Sequence, residues 1–186
     1  CRAMRPFRFS QTNVQMLMVD IQERLLTSID RQDTVLRNAK ILCAAAKELR
    51  IPVKATEQYP KGIGPTVAEL RDAAAGGALF EKKHFSCFEA PGFDAFFFAP
   101  DRPITVLFGI ETHICILSTL LDMRERDLPV ILAADACGSR NPLHASLALD
   151  QARSVGAFVL PVESIVYRLL GCAGSPEFKT LLPLFK

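Results

Sequence analysis

The sequence predicts an α/β fold, in which helices cover both faces of a six-stranded, mostly parallel sheet to form a three-layer α/β/α sandwich. Three observations predict it. Apolar runs of strand length alternate with stretches of helical periodicity along the chain, the runs are continuously apolar, and several of them end at a charged residue. Continuously apolar strands are typical of sheets that are covered on both faces. The chain has 186 residues, and a domain has roughly 150, so we expect residues 1–186 to form a single domain.

Six runs have the length and composition of buried strands. In chain order they are Val14–Val19, Pro52–Thr56, Ala78–Phe80, Ile104–Ile110, Val130–Ala134 and Ala157–Leu160. The first run is followed by Asp20 and the fourth by Glu111. Parallel strands bring the residues that follow them to one edge of the sheet, and open α/β sheets bind ligands at that edge. The residues after the strands are therefore the first candidates for a functional site.

Between the strands, apolar residues recur at the spacing of an amphipathic helix. Residues 33–50 show this pattern most clearly, and Pro52 follows the turn after them. The pattern returns in residues 116–126 and 143–155, the second of which begins after Asn141 and a proline, a helix-start signal. Residues 176–184 predict a final short helix. Right-handed crossovers between successive strands would place these helices on both faces of the sheet.

Composition and charge exclude several classes of protein. Lys and Arg number 22 against 20 for Asp and Glu, a net charge of +2, so the chain lacks the basic surface that nucleic acids select. No run of 18 apolar residues predicts a membrane span. The six cysteines form no Cys-x-x-Cys pair, which indicates separate thiols in a reducing compartment. We expect a cytoplasmic protein without nucleic-acid or membrane partners. Organelle targeting stays open, because a chain whose first residue is Cys1 need not include the true N-terminus.

The segment from Gly109 to Cys115 joins a buried strand to a helix and carries the most chemistry. With Thr112 as the predicted N-cap, Cys115 falls in the first helical turn. Free backbone N–H groups and the helix dipole favour a thiolate there, which predicts a lowered thiol pKa, and the same N–H groups could hold an oxyanion. The alternative is that Cys115 is a small buried apolar residue facing the sheet.

Two charged residues follow other strands at the same edge. Asp20 could exchange a proton with a thiol, and Lys82 could favour the thiolate by its positive charge. Each has a simpler alternative, in which Asp20 caps the segment after it and Lys82 is a solvated surface lysine. The three residues are stronger candidates for a functional site when taken together, because Asp20, Lys82 and Cys115 each end, or directly follow, a different predicted strand.

These residues lie in segments that resemble the three signature segments of the isochorismatase-like cysteine hydrolases. The three are Leu17–Gln22, Lys82–Ser86 and Gly109–Cys115, in the same order and with similar spacing. The loop of residues 56–66 and the segment of residues 134–140 are similar to the subgroup of isochorismatase domain-containing proteins. The resemblance covers roughly residues 14–170.

The resemblance implies an Asp/Lys/Cys triad that hydrolyses a small amide-like substrate through a thioester. In those roles Cys115 is the nucleophile, Asp20 the general base and then acid, and Lys82 the residue that stabilises charge, with Lys83 as the runner-up. The family also implies a cis peptide between Ile110 and Glu111, with the amides of Glu111 and Cys115 as oxyanion donors. It further implies a homo-oligomer, a dimer or larger.

No metal or other cofactor is expected. Nicotinamidases of this superfamily hold a metal with an Asp-x-His pair and a further histidine, whereas the three histidines here, His84, His113 and His144, are widely separated. As candidate substrate-binding residues we name five near the strand ends: Gln22, Tyr59, Glu111, Thr112 and Arg140. For Arg140, pairing with Glu111, contact with a substrate carboxylate and a surface role at a helix start all stay open. The alternative function is a non-catalytic binding or scaffold protein of the same fold, with a redox-sensitive thiol at Cys115.

Overall fold

A computed structural model describes residues 6–75 and 78–186, and its centre is a sheet of six parallel strands. The strands, labelled β1 to β6, are Val14–Val19, Val53–Gln58, Leu79–Lys82, Ile104–Ile110, Val130–Gly138 and Phe158–Leu160. They lie in the order β3-β2-β1-β4-β5-β6. The chain therefore builds outward from β1 in one direction and then, from β4, in the other. The carboxyl ends of β1 and β4 flank the point where the strand order reverses, the usual ligand crevice of such sheets.

Helices lie against this sheet in two groups. Those of the described chain, labelled α1 to α8, are Glu23–Leu26, Gln32–Glu48, Pro60–Ile63, Phe93–Phe97, Leu117–Glu125, Pro142–Ser154, Val162–Leu170 and Pro176–Leu181. Helix α2 contacts α7 and α8, while α5 contacts α6, and the two groups flank the sheet. A π-helical turn, Thr112–Ile116, leads from β4 into α5. Within the described residues, no helix is both long enough and apolar enough to cross a membrane.

The two central strands are the core of the molecule. All residues of β1 and β4 are buried, as expected for strands with helices over both faces. The two strands approach closely at Gly109, which has a φ of +135° and pairs with Val19. A Cβ atom on Gly109 would overlap the carbonyl oxygen of Val19, so only glycine fits there. This contact holds the ends of β1 and β4 side by side.

The predicted strands are confirmed, with shifts at their ends. β1 and β4 match the predicted bounds, whereas β2, β3 and β5 each run two to four residues further than predicted. The extensions consist of polar or small residues, which do not continue an apolar run and so were not predicted as strand. The helix Val162–Leu170, between the last strand and the predicted final helix, was not predicted, although its apolar face is buried.

Candidate active site

Asp20 lies directly after β1, in the left-handed backbone region with a φ of +55°. Its side chain is fully buried and accepts two hydrogen bonds, from Thr56 Oγ1 to Oδ1 at 2.7 Å and from Lys82 Nζ to Oδ2 at 2.8 Å. The alternative in which Asp20 caps the next helix is wrong: the N-cap of α1 is Gln22, and the carboxylate binds a hydroxyl and an ammonium group instead. Both carboxylate oxygens are thus held by donors, one from β2 and one from β3.

Lys82 is the last residue of β3 and reaches across the end of β2 to Asp20. Its side chain is fully buried, while the adjacent Lys83 is exposed. Burial by itself would lower the pKa of Lys82, but the negative charge of Asp20 and its hydrogen bond to Lys82, together with the nearby acidic groups of Cys115 and Cys87, outweigh it, so the pKa is raised. The surface-lysine alternative is therefore wrong for Lys82. Of the two adjacent lysines, Lys82 is the one that contacts Asp20.

Cys115 lies in the π-helical turn after β4, and only 6% of its surface is exposed. Its thiol interacts with both members of the ion pair: the carboxylate of Asp20 disfavours the thiolate and the ammonium of Lys82 favours it. The prediction of a lowered thiol pKa is wrong, because burial, followed by the charge of Asp20, raises the pKa of Cys115 above its usual range. The resting site therefore holds a neutral thiol beside the salt bridge of Asp20 and Lys82.

The start of the turn differs from the prediction. Glu111, rather than Thr112, occupies the N-cap position, and its side chain makes no capping hydrogen bond. Thr112 Oγ1 is buried and has no hydrogen-bond partner among the described residues. The peptide bond between Ile110 and Glu111 is cis. The hydroxyl of Thr112 and the amides of Glu111 and Cys115 thus lie in one short segment beside the thiol.

The side chain of Glu111 is held by Arg140 from the segment after β5. Oε1 of Glu111 accepts bonds from the backbone N and from Nε of Arg140, each at 2.9 Å. Glu111 is largely buried, whereas the Arg140 side chain is 62% exposed. Of the roles left open for Arg140, the pairing with Glu111 is present in the structure. A contact of either residue with substrate stays a prediction.

Gln22 contacts a loop, residues 59–66, which includes the short helix α3, and Tyr59 is the first residue of this loop. Gln22 is fully buried, and its Nε2 donates to the carbonyl oxygens of Gln58 and Gly64 at 3.0 and 2.7 Å. Its Oε1 accepts from the backbone N of Gln58 at 2.7 Å. Gln22 therefore anchors the loop, while Tyr59 is half exposed at the start of the loop, with Lys83 Nζ 5.8 Å from its ring centre. Substrate contact by either residue stays a prediction.

Sequence reasoning missed three residues of this site. Thr56 binds Asp20, Gln58 Oε1 accepts from Lys82 Nζ at 2.7 Å, and the thiol of Cys87 lies near the ion pair. Burial raises the pKa of Cys87 to about 11, although Lys82 acts to lower it. Thr56 and Gln58 sit at the end of β2, the strand between β1 and β3. The strand order points to Thr56 and Gln58, but the predicted proton-transfer groups were limited to charged residues and one thiol at strand ends.

A second polar pair flanks the site. Nδ1 of His113 lies 2.8 Å from Oγ of Ser139, and its ring centre is 4.9 Å from that of His144. Burial lowers the pKa of His113 and outweighs the opposing effect of Glu111, so the ring favours the neutral form.

Within residues 6–75 and 78–186, no group of three or more His, Cys, Asp or Glu residues is arranged to hold a metal ion.

Comparison with solved structures defines the class of this protein. The MAR1 ribonuclease of Caenorhabditis elegans superposes with a TM-score of 0.87 at 32% identity, over 95% of this chain and 91% of that one. The YcaC gene product of Escherichia coli, described as an octameric hydrolase of unknown specificity, superposes with a TM-score of 0.90 at 21% identity, over 96% and 90% of the two chains. The strand order and this likeness define an α/β/α protein with the isochorismatase-like hydrolase fold.

Sequence comparison identifies the family. The isochorismatase domain matches residues 14–164. Isochorismatase domain-containing protein 2 of Xenopus laevis is 38% identical over 164 residues, covering 88% of this chain and 79% of the relative. The chain belongs to the isochorismatase family, as the sequence segments predicted.

Proposed function

We propose that the protein is a cysteine hydrolase that cleaves a small amide-like substrate without a metal ion. The observation that carries the proposal is the fully buried ion pair between Lys82 and Asp20, with the thiol of Cys115 beside it. Two opposite charges removed from water are costly unless they are well paired, and a site that places a thiol next to them supports proton transfer from sulfur to carboxylate.

In the proposed reaction, Asp20 takes the thiol proton as the sulfur of Cys115 attacks the substrate carbonyl. A tetrahedral oxyanion forms, and the backbone amides of Glu111 and Cys115 are the proposed donors to it. The oxyanion collapses, the C–N bond breaks, and the leaving nitrogen receives the proton from Asp20. A water molecule, deprotonated by Asp20, then attacks the thioester, and the acid product leaves as the sulfur regains its proton.

The charges of the site suit this sequence of steps. Because the pKa of Cys115 is raised, a free thiolate is scarce at rest, and the sulfur becomes a strong nucleophile only as Asp20 takes its proton. The total charge of the buried group does not change in that transfer. The positive charge of Lys82 first pairs with the carboxylate and then favours the thiolate.

A panel of small amides, carbamoyl compounds and thioesters tests the proposal. We expect release of amine or ammonia with at least one substrate, and a mass increase at Cys115 equal to the acyl group when the reaction is quenched early. Cys115→Ser abolishes turnover while the circular dichroism spectrum stays native. Turnover that survives this substitution would rule out the thioester route, and no acylated Cys115 with any substrate would favour the non-catalytic binding role.

RNA cleavage is a second candidate, favoured by the 32% identical relative that is described as a ribonuclease. The net charge of +2 argues against tight, phosphate-driven binding of RNA. Incubation of single-stranded RNA with the protein and with Asp20→Asn separates the candidates. Cleavage that needs Asp20 would support the ribonuclease function, whereas intact RNA leaves the amide hydrolase.

The proposed assembly is a homo-oligomer. Helices α5 and α6, which contact each other, carry three exposed leucines: Leu121, Leu143 and Leu147. Exposed apolar side chains on neighbouring helices are typical of interfaces. Light scattering tests the assembly, and Leu143→Asp combined with Leu147→Asp is expected to shift the mass toward a monomer.

A further inference from the structure

Gln58 lies at the end of β2, between the loop of residues 59–66 and the buried ammonium group of Lys82. Its Oε1 accepts a hydrogen bond from Lys82 Nζ at 2.7 Å, while its Nε2 donates to the carbonyl oxygen of Lys83 at 2.7 Å. These two bonds fix the orientation of the amide, because only the oxygen can accept from an ammonium group. Gln58 therefore presents an oriented, neutral acceptor to Lys82.

The backbone of Gln58 is fixed as well. Its N–H donates to Gln22 Oε1 and its carbonyl accepts from Gln22 Nε2, at 2.7 and 3.0 Å. Gln22 is fully buried and also binds the carbonyl oxygen of Gly64. One buried amide thus holds the residue that in turn holds the ammonium group of Lys82.

The ammonium group of Lys82 has three N–H donors and four acceptors around it. They are Asp20 Oδ2 at 2.8 Å, Gln58 Oε1 at 2.7 Å, and the carbonyl oxygens of His84 at 2.9 Å and Phe85 at 3.3 Å. Among these four acceptors, Asp20 is the charged one, Gln58 is a neutral side chain, and the other two are backbone carbonyl oxygens. The three neutral acceptors would still hold the cation if Asp20 lost its charge.

The proposed reaction requires this loss of charge. When Asp20 takes the proton of Cys115, Lys82 no longer faces a carboxylate, and its charge is held by the neutral acceptors while it pairs with the new thiolate. We propose that Gln58 is a positioning residue, which keeps the ammonium group of Lys82 charged and in place between Asp20 and Cys115 during the proton transfer. This inference rests on the proposed function, but its test does not need the substrate.

The test measures how fast iodoacetamide alkylates Cys115 in the native protein at several pH values, followed by mass spectrometry with the exposed Cys172 as the internal reference. Gln58→Met keeps the length of the side chain but removes the strong acceptor. Below the ionisation midpoint, a rise of one unit in the thiol pKa lowers the alkylation rate about tenfold. We expect Gln58→Met to slow Cys115 by about this factor and to leave Cys172 unchanged.

Two further variants separate positioning from general support of the fold. In a Lys82→Met background, the Gln58→Met change is expected to alter the Cys115 rate less than about twofold, because no ammonium group remains to be held. Lys83→Met is the matched control: its side chain is exposed and its backbone carbonyl still accepts from Gln58. This control should alkylate Cys115 at the wild-type rate.

An unchanged Cys115 rate in Gln58→Met overturns the proposal, and so does an equal loss with and without Lys82. If Gln58→Met does not fold, Gln58→Glu decides: it keeps an oxygen on Lys82 but adds a negative charge, which slows alkylation about tenfold if residue 58 faces the site. A wild-type rate in Gln58→Glu overturns the proposal. Failure of the proposed function has a different signature, the lack of acylated Cys115 in wild-type protein.

Discussion

Nζ of Lys82 lies 2.8 Å from Oδ2 of Asp20, and neither side chain is exposed to solvent. The two residues follow or end strands that are not adjacent in the sheet, since β2 lies between β1 and β3. Gln58 and Thr56 of that middle strand each bind one member of the pair. The pair is therefore part of a hydrogen-bonded group across three strand ends, and its energetics govern both stability and the chemistry proposed for the thiol.

Breaking the buried pair should destabilise the protein strongly. Removing one partner of a buried ion pair costs about 3 to 5 kcal/mol, because the other charge stays buried without a counter-ion. Lys82→Met should lower the free energy of unfolding more than Asp20→Asn. In Asp20→Asn the ammonium group keeps Gln58 and two carbonyl oxygens as acceptors, whereas in Lys82→Met the carboxylate keeps the hydroxyl of Thr56 and the thiol of Cys115. The double variant should lose less than both single losses together. Urea unfolding measures all three.

The exposed pair of Arg153 and Asp150 is the control for this series. Its side chains are 56% and 70% exposed, so Arg153→Ala should change the free energy of unfolding by less than about 1 kcal/mol. Equal losses for Arg153→Ala and Lys82→Met would contradict the role of burial.

The two charges should move the ionisation of Cys115 in opposite directions. Lys82 lowers the thiol pKa and Asp20 raises it. Lys82→Met is therefore expected to shift the pH midpoint of Cys115 alkylation upward, and Asp20→Asn to shift it downward, while both variants lose hydrolytic activity. Alkylation rates compared at equal pH between about pH 7 and 10, read by mass spectrometry, report these shifts: below the midpoint an upward shift slows the reaction and a downward shift speeds it. A downward shift in Lys82→Met would show that the thiol does not face the ammonium group.

Stability should fall at alkaline pH. Burial raises the pKa of Cys43 and Cys137 to about 12 and that of Cys87 to about 11, and it also raises the pKa of Cys115. In the unfolded chain these thiols ionise near their ordinary pKa of about 8.5, so their contribution is complete below that pH and is lost as the pH rises toward the folded values. The raised pKa of Lys82 acts in the same direction at higher pH.

Urea unfolding between about pH 8 and 10.5 checks this expectation. Each thiol that is ionised only in the unfolded state removes about 1.4 kcal/mol of stability per pH unit. Cys43→Ala should make the decline shallower by about one such contribution. A stability that stays constant over this range would contradict the burial of the thiols.

Gly109 should tolerate no side chain. A methyl group there would overlap the backbone of Val19, where β1 meets β4. Gly109→Ala is expected to cost more than about 3 kcal/mol or to prevent folding, because backbone cannot move aside as a flexible side chain can. The matched control is Gly171→Ala: Gly171 has a φ of +77°, but a Cβ atom there would have no atom of the described residues within 4 Å beyond its chain neighbours. It should cost only about 1 to 2 kcal/mol from the left-handed backbone, and similar losses in both variants would contradict the close approach.

Much of the fold could be predicted because strand cores and helix faces are local patterns. β1 and β4 were placed to the residue, since continuous apolar runs bounded by polar residues mark buried parallel strands. Asp20, Lys82 and Cys115 could be grouped in advance because parallel strands end at one edge. The helix Val162–Leu170 was missed, although its buried residues Val162, Ile165, Val166 and Leu169 recur at helical spacing.

The sequence by itself determined the order of the strands, the longer helices between them, the family, and which charged residues and thiols follow the strands. The tertiary structure decided what those residues do to one another. Burial, a consequence of packing between distant segments, reversed the predicted shift in the pKa of Cys115. The strand order placed Gln58 against Lys82, although 24 residues separate them. Charge, dehydration and hydrogen-bond direction depend on such neighbours in space, and no local sequence pattern records them.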